Sequence, residues 1–331
     1  MILCALLPAM LIGCGPDGVI SRDGKILDVP YEISIFAKSG SSRARSLASD
    51  AIDVMEKRFK ALQPDRGEIG RLNEDRSISD LSSEVAAALA FADSMRIATR
   101  GTYDYRQGAL KKLWRLVDRK PTPPAPVELA SALAKSLELS LTVEGNRATL
   151  SGEGTIDLGD VAAGFAVDGA AQVLIDGGIS CAQVKLGNVT RIWGAKDNDT
   201  VKWRMEFPPP PPEDSIWYVL TPPDGALCSY SKAIDGFEYL DRQYPRLIDP
   251  RDGLPSDSAI TVASWAPDGA SAGALGQALF VMGRRLAFEW LLPDERYGIF
   301  IIHHLPKENI TVAETSIQMV GCLTDSLPTE R

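Results

Sequence analysis

Residues 155–168 read TIDLGDVAAGFAVD. An apolar residue precedes Asp157, Gly159 and Gly164 lack a Cβ, and Phe165 to Val167 resume an apolar run. That order predicts a strand end, a tight turn and a helix that begins among small residues, where backbone can approach a neighbour or a ligand closely. The helix should run to about Leu174 and close at Gly177-Gly178. Two carboxylates, Asp157 and Asp168, bracket the turn and the first helical turns.

Outward from this point the chain mixes strands and helices without a regular βαβ rhythm. Upstream, VPYEISIFAKSG (29–40) alternates as a strand, and Leu47, Ala51, Val54, Met55, Phe59 and Leu62 recur at helical spacing over 42–62. A helix with cap and stop signals is predicted over 77–101. A Pro-rich loop leads to a short helix starting near Pro126, and strands at 138–144 and 147–151 flank a Gly145-Asn146 hairpin turn. Downstream, AQVKLG and VTRIWGA read as consecutive strands, and FPPPPPEDS (207–215) reads as a surface loop because proline cannot donate to a sheet. IWYVLTPP, GALCSYSKAI, AITVASWAP, a helix over 270–284, FEWLL and YGIFII complete the pattern. The fold class is therefore α+β.

Composition bounds what such a chain can do. With 331 residues, 45% hydrophobic and 24% charged, it can bury one large core or two packed subdomains. A net charge of −9 argues against a nucleic-acid partner. The opening MILCALLPAMLIGCG is an apolar run ending in small residue then cysteine. It resembles a bacterial lipoprotein signal: residues 1–14 would be the signal, Cys14 the lipidated residue, 15–28 a tether, 29–320 the folded domain and 321–331 a tail. The chain would then sit in the cell envelope, held to a membrane by its lipid. Beyond the signal, Cys181, Cys228 and Cys322 stand without a Cys-x-x-C or Cys/His pairing, and the two histidines, His303 and His304, are adjacent, so a zinc site is disfavoured. Buried thiols are the expected state, with a disulfide between two of them left open for an exported chain.

Taken in order, six stretches carry a family resemblance: GEIGRLNED (67–75), TRGTYDYRQGALKKLW (99–114), IDLGDVAAGFAVD (156–168), LGNVTRIWGA (186–195), RLIDPRDGLP (246–255) and SAGALGQALFVMG (271–283). Together they resemble the FAD:protein FMN transferase (ApbE) family from about residue 29 to 300. The resemblance implies an α+β fold of two mixed subdomains with FAD in the cleft between them. It implies cleavage of the FAD diphosphate with magnesium, and transfer of FMN to a Thr or Ser of an exported or membrane redox protein. It also implies flavin-nucleotide contacts from Tyr103, Asp104, Asp157, Gly159, Ala163, Ser229, Arg246, Ile248 and Asp249. Read without the family, Asp157 is a turn former, Asp104 an N-cap, Tyr103 and Trp114 core aromatics, and the 249–255 turn structural.

Departures from the family pattern gather in the motifs that would line the cleft. The metal motif Asp-Ala-Leu-Ser-Thr stands here as Gly273-Ala274-Leu275-Gly276-Gln277. The usual Lys is Ala163, and the His before Ile-Asp-Pro is Arg246, a cation that cannot shuttle a proton at neutral pH. The Thr-Ser-Gly segment is Cys228-Ser229-Tyr230, the paired Gly is Asn188, and Ser-Thr-Tyr is Ala61-Leu62-Gln63. Against these losses, Asp160 adds a carboxylate where the family has a small residue, so Asp160 and Gln277 are candidate replacement ligands for magnesium. Three readings follow: a transferase with an altered site, an inactive flavin-nucleotide-binding or partner-docking homologue, and a scaffold whose cleft binds nothing. A nicotinamide dehydrogenase is disfavoured, since no G-x-G-x-x-G follows a strand.

Overall fold

The computed structural model describes residues 17–38, 40–116, 122–195, 203–207, 218–232, 236–291, 296–304, 315–321, 323 and 329–330. Cys14 and the signal, the proline run after Phe207, and Cys322 lie outside them. In chain order the strands are β1 (Asp17–Ile26), β2 (Val29–Lys38), β3 (Ser77–Ile78), β4 (Ser140–Glu144), β5 (Arg147–Ser151), β6 (Ala182–Leu186), β7 (Val189–Trp193) and β8 (Met205–Phe207). They continue with β9 (Tyr218–Leu220), β10 (Gly225–Ser231), β11 (Phe237–Tyr239), β12 (Arg242–Tyr244), β13 (Thr261–Ala266), β14 (Gly298–His304), β15 (Thr315–Gly321) and β16 (Thr329–Glu330). The helices are α1 (Ser42–Ala61), α2 (Gly67–Asp75), α3 (Ser83–Ala98), α4 (Gly108–Trp114), α5 (Pro126–Glu138), α6 (Asp160–Asp176) and α7 (Gly269–Leu291).

The main sheet has the order β1-β2-β6-β7-β10-β13-β14-β15, and every pairing in it is antiparallel. That confirms the α+β class, because no βαβ crossover is needed. Period-2 alternation gives the sheet two apolar faces. Ile33, Ile35, Val184, Val189, Ala226 and Val262 face a layer made by α1, α6 and α7. Their alternates Ile192, Leu227, Ala263 and Phe300 face a second cluster with Phe207, Tyr218 and Leu220. A third cluster joins Leu110 and Trp114 of α4 to Ala132 of α5, Phe237 and Ile248.

Four expectations change. Residues 17–26, read as part of a tether, form β1 and pair with β2 along its whole length, from Asp17 opposite Lys38 to Ile26 opposite Val29. The expected tail contributes Thr329 and Glu330 to β9. The single helix expected over 77–101 is a short strand, Ser77–Ile78, followed by α3, because Ser82 rather than Ser77 caps it and accepts from the Val85 N–H. The strand expected before Asp157 reduces to one bridge between Thr155 and Gln107.

Candidate functional site

The 155–160 turn is built by borrowed hydrogen bonds. The Asn73 side chain on α2 accepts from the Ile156 N–H (2.7 Å) and donates to the Ile156 carbonyl (2.8 Å), doing the work of a neighbouring strand. The Asp157 N–H donates to Tyr105. Gly159 sits at φ 57° and ψ −134°, a conformation closed to side-chain-bearing residues. The Asp157 Oδ1 atom accepts from the Gly159 N–H (2.8 Å) and from the Lys111 ammonium (2.9 Å). Its Oδ2 makes no hydrogen bond to a described residue. Lys111 was not singled out in the sequence. Lys111 and Lys112 are adjacent on α4, and one helical step of about 100° turns one to the cleft and the other to solvent.

Asp160 is the first residue of α6. Its Oδ2 accepts from the Tyr230 hydroxyl, from Asn188 Nδ2 at 3.4 Å and from the Cys228 thiol at 3.8 Å. The three donors come from the β6–β7 turn and β10. Burial of the carboxylate pushes its pKa up, while the Tyr230 bond and the Lys111 charge pull the other way.

α7 crosses this point through glycines. A Cβ on Gly273 would lie 2.4 Å from the Asp160 carbonyl oxygen, and one on Gly276 would lie 2.7 Å from the Cys228 sulfur. The helix is therefore seated where a side chain at either position would have to displace it, and the space left at Gly276 is taken by Cys228 and Tyr230. Gln277 is 3% exposed, and its Nε2 has no hydrogen-bond partner among the described residues. Asp168 caps α7 from α6: it accepts from the N–H groups of Gly269 (2.8 Å) and Ala270 (3.1 Å), and burial raises its pKa to about 6.

The remaining predicted residues divide. Tyr103 is 1% exposed and donates its hydroxyl to the Leu158 carbonyl at 3.3 Å, bracing the turn from beneath. Asp104 is held by Arg106 through the guanidinium (2.7 Å) and the N–H of the same residue, and Asp249 is held by Arg251 in the same Asp-x-Arg arrangement (2.6 Å). Both carboxylates thus fix loops. Those loops share α4: Gln107 at its start bridges Thr155, and the Trp114 indole at its end donates to the Gly253 carbonyl (2.8 Å). Ile248 is buried in the third cluster, and Ala163 in the main core. Strand alternation turns Ser229 to the face opposite Cys228 and Tyr230. Arg246 donates to the Leu116 carbonyl and lies over the Phe237 ring at 5.7 Å. With Asn188, Tyr230, Ser231, Lys232 and Phe280 it lines a cavity of about 310 Å³ beside Asp160.

Fold and site together define an antiparallel α+β protein with a cleft built on a glycine turn at a helix start. The chain belongs to the ApbE family, whose model matches residues 27–300. It is 26% identical over 286 residues to the FAD:protein FMN transferase of Vibrio cholerae, covering 83% of this chain and 85% of that one. The Haemophilus influenzae FAD:protein FMN transferase is 24% identical, with 82% and 83% covered. The fold matches the Vibrio cholerae flavin transferase ApbE with a TM-score of 0.78 at 22% identity, over 94% of this chain and 100% of that one. It matches the ApbE protein of Thermotoga maritima with a TM-score of 0.73 at 21% identity, over 86% and 94%.

The donor set fits a magnesium ion poorly. Magnesium asks for near-octahedral oxygen ligands. Gly273 supplies no side-chain ligand, Gln277 offers a neutral amide, and Asp160 has its Oδ2 engaged by three donors and only Oδ1 without a hydrogen bond to a described residue. Among the described residues no group of three or more His, Cys, Asp or Glu side chains could hold an ion.

Proposed function

We propose that this chain is an FAD:protein FMN transferase with an altered site, anchored in the bacterial cell envelope through a lipid on Cys14. Its acceptor is an exported or membrane redox protein offering a Thr or Ser. The observation that carries the reading is Asp157. Its N–H donates to the Tyr105 carbonyl, Asn73 holds the preceding Ile156, and Oδ1 is paired with Gly159 and Lys111, leaving Oδ2 available to accept from a nucleotide hydroxyl or amine. In the reaction the acceptor hydroxyl oxygen attacks the FMN phosphorus, the bond to AMP breaks, the hydroxyl proton is released, and FMN ends as a phosphoester on the protein. Arg246 is a permanent cation on the wall of the cavity beside Asp160, and Tyr103 keeps the turn rigid.

A second reading, FAD binding without transfer, is favoured by a specific observation: the carboxylate gained at Asp160 already accepts on Oδ2 from Tyr230, Asn188 and Cys228, while Gly273 has no room for the one lost. One assay separates the two. The chain is incubated with FAD, magnesium and a flavin-accepting domain, and covalent in-gel fluorescence and AMP are measured. Transfer predicts both signals in equal amount. Intact bound FAD with no AMP selects the second reading, and no bound flavin removes both.

A further inference from the structure

The geometry points to Asn73 and Arg76 as positioning residues, which aim the Asp157 carboxylate at the bound nucleotide by gripping the chain that leads into it. The inference deepens the proposed function and rests on it. β5 ends at Ser151, and the chain then reaches Asp157 with one isolated bridge, at Thr155. The backbone groups of such a segment need partners from elsewhere, because a loosely held turn cannot keep a side chain at one angle.

The partners come from the end of α2. Arg76 is its C-cap, at φ 64° and ψ −11°, a left-handed conformation unfavourable for a residue with a side chain. There its carbonyl accepts from the Leu150 N–H (2.7 Å), and its guanidinium donates to the carbonyls of Gly152 (2.6 Å) and Gly154 (2.9 Å). Asn73, three residues earlier, takes both backbone groups of Ile156 and donates to the Pro64 carbonyl (2.9 Å), so both hydrogens of its amide nitrogen are used. Residues 150, 152, 154 and 156 are thus held in succession, and two side chains and a carbonyl replace the missing strand. The segment has no space to draw back from this grip, since a Cβ on Gly154 would lie 2.4 Å from the Lys135 carbonyl of α5.

The Pro64 contact gives the clamp a second end. Pro64 follows Ala61-Leu62-Gln63, another stretch expected to line the cleft, so one side chain sets the distance between two of its walls. On the far side the Asp157 N–H donates to Tyr105 and the Gly108 N–H donates to Thr155. Those bonds keep the turn attached without the clamp. Losing the clamp therefore changes the aim of Asp157 and does not unfold the turn.

Double-mutant cycles test the proposal, with FAD affinity read by flavin fluorescence and stability by thermal melts. The proteins are wild type, Asn73→Ala, Arg76→Met, Asp157→Ala, and Asp157→Ala combined with each of the first two. Asp157→Ala should weaken FAD binding by about ten- to a hundredfold, as loss of a charge-assisted contact does. Asn73→Ala should cost about tenfold when Asp157 is present and less than about twofold when it is absent. Arg76→Met should show the same pattern with a smaller loss. Phe300→Leu, in the cluster on the opposite face of the main sheet, should lower the melting temperature and leave FAD affinity unchanged. Losses that simply add to that of Asp157→Ala overturn the positioning role and leave the transferase reading standing. Undiminished affinity in folded Asn73→Ala and Arg76→Met, or an equal loss in Phe300→Leu, does the same. Asp157→Ala that binds FAD like wild type, or wild type that binds no FAD, removes the parent reading and this one together.

Discussion

Asp160 and Asp168 show how far one residue's surroundings decide its chemistry. Both are aspartates of α6, and burial raises the pKa of each. For Asp168 the folded value of about 6 lies above the ordinary 3.8, so the folded state binds the proton more tightly. The stability it contributes is full below pH 3.8 and is lost as pH rises through about 6. The loss amounts to about 3 kcal/mol across that window. Urea unfolding between pH 4 and 7 should show this slope in wild type and a flattened one in Asp168→Asn; parallel slopes would refute the assignment. Tyr230→Phe removes a hydroxyl donor from the Asp160 carboxylate, which should cost about 1.5–3 kcal/mol at pH 8. The deficit should shrink at low pH as Asp160 protonates, and a pH-independent deficit would assign Tyr230 to packing alone. Asp160, Asn188 and Tyr230 could each be singled out in the sequence, within motifs that resemble the family. Their mutual contact was not legible, because Asp160, Asn188 and Tyr230 lie on separate elements.

At the level of elements, α7 packs on α6 with no room for a side chain at Gly273. Gly164 meets the Gly269 carbonyl and Gly273 meets the Asp160 carbonyl, so the two helices approach through backbone. Gly273→Asp adds a carboxylate there but must push α7 outward. It should lower stability by about 1–3 kcal/mol, as overpacking does, and magnesium should not raise the melting temperature of the variant. A magnesium-dependent rise would mean that a carboxylate at 273 suffices to complete an ion site. The same scale explains Asn73 and Lys111. Both lie in motifs quoted from the sequence, yet helical register and the neighbour across the cleft decide what each side chain does. Tyr103 and Trp114 were legible as core aromatics. Their roles as braces of the 158 and 253 backbones required the fold.

Across the whole molecule, the antiparallel sheet carries the cleft on one face and a second apolar cluster on the other. β1 covers β2 over ten residues at the sheet's edge. A chain beginning at Val29 would expose the full backbone edge of β2, and unpaired edges recruit other chains. Light scattering on such a truncation should show self-association that the longer chain lacks; a stable monomer of unchanged melting temperature would make β1 dispensable. The sequence by itself determined the α+β class, the glycine turn before α6, the positions of most strands and helices, and the family, because these depend on local pattern and motif order. The tertiary structure alone decided that 17–26 is a strand, that Asp168 caps α7, that Asp160 meets Tyr230, Asn188 and Cys228, and that Lys111 points at Gly159. Those facts depend on which elements meet, and meeting is set by the packing of surfaces far apart in the chain.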